Sequence, residues 1–168
     1  YRYTPSTVSM RNWKIPLDRT LAVWSMMARR NGEIWAGTSR GLWTIDPKLT
    51  APAKGYSPGN GYEILNESTI YHMLETPEGI WLCTDNGLFL ADTLRGIQEH
   101  INEKESGLPN NNLLNLHIDS KGIFWLASRG GGLIRWDRSL NTFTSYTVNE
   151  GLSHNIIYAV LEDDFGFL

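Results

Sequence analysis

The polar residues of this sequence that could do chemistry lie between apolar segments, in short stretches rich in glycine and asparagine. Arginine guanidinium groups and side-chain amides, placed beside a carboxylate, suit the recognition of a polar or acidic saccharide. Such stretches are also typical of turns, so the alternative is that these side chains are simply solvated. The candidate ligand-binding residues are Arg40, Asp85, Asn86, Asn111, Arg129 and His154.

Catalytic chemistry would need an acid or base held in the interior beside a metal or an oxyanion partner. His72 is the one loose candidate, and a histidine that is hydrogen-bonded to structural water is the simpler interpretation. No cysteine and histidine grouping has zinc-site spacing, and the single Cys83 cannot form an internal disulfide. We therefore predict no catalytic residue, no metal and no cofactor in this chain.

The glycine run at 130–132 invites comparison with a phosphate-binding loop, but no lysine and no helix follow it. The segment Gly122–Asp137 instead has two earlier copies, at Gly32–Asp46 and Gly79–Asp92. Their first tryptophans, Trp35, Trp81 and Trp125, lie 46 and 44 residues apart. A fixed period of this size predicts an array of small structural units.

Each unit reads as four short strands separated by glycine, asparagine and proline turns. The predicted strands are 21–28, 33–38, 42–46 and 53–57, then 69–75, 80–84, 88–92 and 98–102, then 113–119, 123–128, 133–137 and 142–148, with a further strand within 155–163. A four-stranded unit cannot bury both faces of its sheet alone, so neighbouring units must stack. The predicted fold class is all-β, a β-propeller with about three complete blades and partial blades at both ends. A β-sandwich and an open solenoid of sheets are the alternatives.

The predicted organisation follows the repeat. It comprises the tail of a preceding blade with a linker at 1–19, blades at 20–66, 67–110 and 111–152, and the start of a truncated blade at 153–168. Because the last residues stop where other copies place their tryptophan, we expect the chain to be a piece of a longer protein. Two chains could also close one ring as a homodimer, with the first strand of one completing the last blade of the other.

The repeated residues suit packing. Trp35, Trp81 and Trp125 would fill the wedge between adjacent blades, since a buried tryptophan removes about 150 to 250 Å² from water. Aromatic platforms for sugars are the alternative role for this column. Glycines that supply positive φ in the hairpin turns are Gly41, Gly87 and Gly132.

The totals exclude several partners. The net charge is -3, which gives no electrostatic footprint for nucleic acid or an anionic membrane. Apolar residues make up 41% of the chain, enough for a packed core, and no run of 18 apolar residues occurs.

The repeat resembles the two-component regulator propeller repeat, which combines regularly spaced apolar residues with Asp, Gly, Trp, Thr and Gly-Leu. The third unit shows it best, in Asn111-Asn112-Leu113, Leu116, Asp119, Gly122, Trp125, Ser128, Gly132-Leu133, Asp137, Phe143 and Tyr146. The first two units depart from the pattern, with Arg29 and Thr76 at the Asp position.

The resemblance implies part of the periplasmic sensor region of a hybrid two-component sensor histidine kinase from a Bacteroides-like bacterium, responding to polysaccharide breakdown products. We expect ligand recognition and signal relay as the function, with a saccharide and the rest of the parent chain as partners. An enzyme similar to streptogramin-type lyases and a protein-interaction scaffold are the rival functions. In a propeller, the loops between second and third strands share one face with the linkers between blades, which would gather the candidate residues there.

Overall fold

Three four-stranded antiparallel sheets make up the described part of the chain, in a computed structural model that covers residues 21–46, 54–56 and 61–168. The first sheet contains β1 (Val23–Ala28), β2 (Ile34–Thr38), β3 (Gly41–Ile45) and β4 (Lys54–Gly55). The second contains β5 (Ile70–Thr76), β6 (Gly79–Thr84), β7 (Gly87–Asp92) and β8 (Gly96–Ile101). The third contains β9 (Leu113–Ile118), β10 (Phe124–Ser128), β11 (Leu133–Asp137) and β12 (Thr142–Tyr146).

Strands in each sheet pair in chain order, so every sheet is a meander built from consecutive hairpins. This confirms the predicted all-β class and the four-stranded repeat of a propeller-like fold. The predicted segment at 1–19 lies outside the described residues, as do residues 53 and 57 of the predicted fourth strand.

Buried hydroxyl groups explain the threonine of the repeat. Thr84 closes the turn between β6 and β7 by donating to the carbonyl of Gly87, at 2.8 Å, and accepting from the backbone N–H of Asn86, at 3.0 Å. Thr38 makes the same two bonds in the first sheet and Ser128 makes their counterpart in the third. The side chain therefore satisfies backbone groups that the sharp turn would leave unpaired.

Two hydrophobic cores lie between successive sheets. Trp35, fully buried, faces Ile70 and Met73 of the second sheet. Trp81, 1% exposed, packs in the same way among Leu113 and Leu116 of the third sheet. The first two sheets thus each place a buried tryptophan at the equivalent position against the sheet that follows.

Trp125 differs from the expectation, because it is only half-buried. None of the described sheets packs against its side of the third sheet, and its indole stacks on Tyr146 instead, with ring centroids 6.1 Å apart. Its Nε1 donates to the carboxylate of Asp119 at 2.9 Å. The buried tryptophan of the third sheet is Trp136, which faces inward to the second sheet.

The predicted strand within 155–163 does not form, apart from an isolated bridge between Ile156 and Arg129. The segment nevertheless runs beside β9, where the backbone N–H of Val160 donates to Asn115 at 3.3 Å. A strand needs a hydrogen-bonding partner along its length, and no described segment pairs with it there. A short helix α1 (Glu103–Ser106) and 3-10 turns at Tyr62–Glu67 and Val148–Glu150 occupy the linkers.

Among the described residues, no helix has the length and apolar character needed to cross a membrane.

Candidate functional site

One end of the three sheets carries the hairpin turns and the linkers together, and we call it the linker face. In each sheet the turn between the second and third strands contains a glycine whose N–H donates to a carbonyl of the following linker. These bonds join Gly41 to Ser68 at 3.0 Å, Gly87 to Asn111 at 2.8 Å and Gly132 to Asn155 at 2.9 Å. The glycines have φ of 77°, 99° and 73°. Positive φ turns the backbone so that each hairpin lies directly against the next linker.

Three of the sequence-predicted residues on this face have side chains that are engaged in local hydrogen bonds. Asp85 accepts from the backbone N–H of Thr69 at 2.9 Å. Asn111 accepts from the N–H of Glu103 at 2.8 Å. His154 accepts through Nδ1 from the N–H of Ile156 at 3.0 Å. Their side chains shape the turns, which leaves them less free for a ligand.

Arginine and asparagine side chains in the hairpin turns are placed differently. Arg40 is exposed, and its guanidinium forms no ion pair with the described residues. Asn86 is half-buried, and its backbone carbonyl lies 2.8 Å from Nε2 of His100. Arg40, Asn86 and Arg129 belong to three different hairpins, so the structure spreads them along the face without bringing them into one pocket.

Each first strand is irregular close to the linker face. The pairing of β1 skips a residue between Val23 and Ser25, and that of β5 skips one between Ile70 and His72. The extra residues are Trp24 and Tyr71. In β9 the register shifts in the same place, and Leu114 is the residue left out of the pairing. An extra residue of this kind bends a strand and re-aims its side chain.

These irregularities bring two aromatic rings and an arginine together, a set that we call the bulge cluster. The rings of Trp24 and Tyr71 meet edge to face, with centroids 5.4 Å apart. The guanidinium carbon of Arg129 lies 5.8 Å from the centroid of the Tyr71 ring. Trp24 is 53% exposed, so part of its indole is accessible from solvent.

Sequence reasoning missed the aromatic part of this cluster, although a signal for it was present. Aligning the repeats gives a column of Trp24, Tyr71, Leu114 and Tyr158, separated by 47, 43 and 44 residues. Regular alternation assigns this column to one of the two sheet faces. The bulge breaks that alternation, and its position cannot be deduced from hydrophobic periodicity.

His72, the candidate for catalysis, lies in an environment that suits a structural role. Burial lowers the pKa of its imidazole, and a hydrogen bond to the backbone of Leu116 partly opposes that effect. The side chain thus links β5 to β9 in its neutral form. Burial also raises the pKa of the Cys83 thiol, which keeps it protonated. Within the described ranges, no group of three or more His, Cys, Asp or Glu side chains is placed to hold a metal ion.

Clefts of about 190 and 300 Å³ lie between neighbouring blades at the opposite end of the described sheets. Arg29 lies in the first, 4.4 Å above the Trp35 ring, and pairs with Glu33 and Glu75 at 3.2 Å each. Arg138 lies 5.2 Å above Trp81, close to the second cleft, and pairs with Glu78 and Glu99. Because each guanidinium is paired with two carboxylates, these arginines shield the tryptophans beneath them from solvent and have no free charge to offer a ligand.

Comparisons with known proteins support the fold. No protein-family model matches the chain, and no curated protein matches its sequence significantly. Among solved structures, the extracellular domain of the hybrid two-component system BT3049 from B. thetaiotaomicron is similar over 86% of this chain, with a TM-score of 0.72 and 21% identity. The corresponding domain of BT4673 from the same organism is similar over 89%, with a TM-score of 0.67 and 20% identity. The chain spans 19% of the length of each.

Proposed function

We propose that this chain is part of an extracytoplasmic ligand-sensing propeller of a bacterial hybrid two-component sensor histidine kinase. It recognises an oligosaccharide on its linker face and relays the signal to the rest of the parent chain, in the periplasm. The chain itself performs no catalysis. The observation that carries this proposal is that, in each described sheet, the turn between the second and third strands is hydrogen-bonded to the next linker. A ligand bound there would contact two blades at once.

The same geometry supports the proposed relay. A ligand can shift a conformational equilibrium only by binding one arrangement better than another. On this face the turn of one blade and the linker to the next are joined by backbone hydrogen bonds, including those of 2.8–3.0 Å that glycines 41, 87 and 132 donate. A ligand that bridges a turn and a linker therefore senses the relative placement of two sheets. The likeness to sensor ectodomains agrees with such a role.

Thermal unfolding in the presence of an oligosaccharide panel tests the proposal. A ligand that binds only the folded chain raises its melting temperature in a concentration-dependent way. We expect at least one oligosaccharide to do so, and Arg129→Ala to abolish the effect. Arg95→Ala is the matched control, since Arg95 is an exposed arginine in a turn at the opposite end of the second sheet. Folded wild-type chain that no saccharide stabilises would contradict the proposal. Equal effects of the two variants would contradict recognition at Arg129, and not saccharide recognition by the chain.

A further inference from the structure

We propose that the bulge cluster of Trp24, Tyr71 and Arg129 is a subsite for a uronic acid residue of the ligand, with the sugar ring stacked on Trp24 and its carboxylate bound by Arg129. The inference rests on the proposed saccharide function and specifies the site and the chemical class. Three observations carry it.

The first observation concerns the charge of Arg129. Within the described residues, three arginines lie over aromatic rings, namely Arg29, Arg129 and Arg138. Arg29 and Arg138 each pair with two carboxylates. Arg129 has no carboxylate partner among those residues and is exposed. An anionic ligand would supply the partner that the other two arginines find within the chain.

The second observation is that Arg129 is dispensable for its own turn. At the equivalent positions of the first two sheets, the side chains of Ser39 and Asp85 accept a hydrogen bond from the backbone N–H of the residue that precedes the first strand. These residues are Ala22 and Thr69. An arginine has no acceptor atom and cannot do this. In the third blade the side chain of Asn110 takes over, accepting from the N–H of Asn112 at 2.9 Å. The turn is therefore closed without the guanidinium, which is left to point outward.

The backbone that presents Arg129 is nonetheless fixed. Its N–H donates to Asn112 at 2.8 Å, and Gly130 donates to Asn155 at 2.9 Å. A Cβ on Gly131 would come within 2.6 Å of Asn110, so the extra glycine allows this turn to lie against its linker. A rigid support reduces the entropy lost when the guanidinium binds.

The third observation is the aromatic surface. Edge-to-face contact with Tyr71 holds the Trp24 indole while more than half of its surface stays accessible. An exposed ring face offers a flat apolar platform, and the apolar face of a pyranose can stack on it. Tyr71 contacts both other members of the cluster, with its ring centroid 5.4 Å from that of Trp24 and 5.8 Å from the guanidinium carbon of Arg129. The aromatic platform and the unpaired guanidinium therefore belong to one cluster.

Calorimetric titration of the 168-residue chain with trigalacturonic acid, its methyl ester and maltotriose tests this assignment. We expect the acid to bind at least about tenfold more tightly than the ester. Arg129→Gln should weaken binding of the acid by about tenfold or more and leave the ester unchanged. Trp24→Leu should weaken both, because it removes the platform. Arg95→Gln, at an exposed arginine in the turn between β7 and β8 at the opposite end of the second sheet, is the matched control and should change neither.

The outcomes separate the subsite from the broader function. The subsite would be overturned if Trp24→Leu and Arg129→Gln bound trigalacturonic acid as tightly as the wild type does. It would also be overturned if the wild type bound maltotriose more tightly than the acid. In both cases the chain would still bind a saccharide, so the proposed function would survive. Absence of binding to every saccharide by the folded chain would remove both. Circular dichroism of each variant establishes that it is folded.

Discussion

Buried polar side chains in the three sheets act mainly on the backbone. The hydroxyl at the end of each second strand, in Thr38, Thr84 and Ser128, is at most 1% exposed. Each both donates and accepts within its hairpin, so a valine there would leave two backbone groups unpaired. This explains why threonine and serine exchange at this position although it is enclosed by apolar residues.

The buried imidazole of His72 predicts a pH dependence of stability. Its pKa is lowered in the folded chain, mainly by burial. The unfolded chain therefore binds more protons near the ordinary histidine pKa of about 6.5, and stability falls as the pH drops through that value. His72→Asn copies the residue at the equivalent place in the third sheet, Asn115. We expect the urea concentration at the midpoint of unfolding to fall less between pH 7.5 and pH 5.5 in this variant than in the wild type.

A matched variant distinguishes this effect from general acid sensitivity. His154 is exposed and lies in a linker. His154→Asn removes an exposed imidazole and is the matched control. If the two variants had the same urea midpoints at pH 7.5 and at pH 5.5, burial of the His72 imidazole would not be the source of the pH dependence.

The linker face is built from the hairpin turns between second and third strands. In the second sheet, substitution of the turn glycine Gly87 measures how tightly such a turn packs against the neighbouring strand. Gly87 has φ of 99°, and a Cβ there would lie 2.4 Å from the carbonyl oxygen of Ile101. Gly107 has φ of 73° but nothing within 4 Å of such an atom. Gly107→Ala should cost about 1 kcal/mol of unfolding free energy through backbone strain alone. Gly87→Ala should cost clearly more, because the turn must also move away from β8.

Urea denaturation of the two variants provides the measurement. If both substitutions lowered the free energy of unfolding equally, β8 would move aside at no energetic cost. The close approach of the turn to β8 would then not contribute to stability. Loss of saccharide-induced stabilisation in Gly87→Ala alone would in addition connect turn geometry to the linker face.

Element boundaries were largely predictable from this sequence, and local irregularities were not. The predicted strand 133–137 coincides with β11, and β6 begins one residue before its predicted start, because apolar runs bounded by glycine turns define strands well. The bulges at Trp24 and Tyr71 escaped prediction since a single inserted residue leaves no periodic signal. The candidate residue Arg129 was chosen from its turn, but its aromatic neighbours come from other blades and depend on how the sheets stack.

At the scale of the whole molecule, stability is a chain of contacts between neighbouring sheets. The cores formed around Trp35 and Trp81 each join two successive sheets. In such arrays stability is approximately a sum of unit and nearest-neighbour terms. The half-buried Trp125 occupies the equivalent place on the third sheet, where none of the described sheets covers it.

Removing one of these contacts should therefore uncouple the array locally. Trp81→Ala deletes a side chain that is 1% exposed between the second and third sheets, and should cost about 3 to 5 kcal/mol. Because the first core does not include Trp81, we expect amide hydrogen exchange to accelerate most in β9–β12 and least in β1–β3. Trp125→Ala, at a half-buried site, should cost much less and leave the first two sheets protected. If hydrogen exchange in Trp81→Ala accelerated equally in all three sheets, the sheets would unfold as one unit. A ligand on the linker face would then stabilise all three sheets together, and not only the contact between two of them.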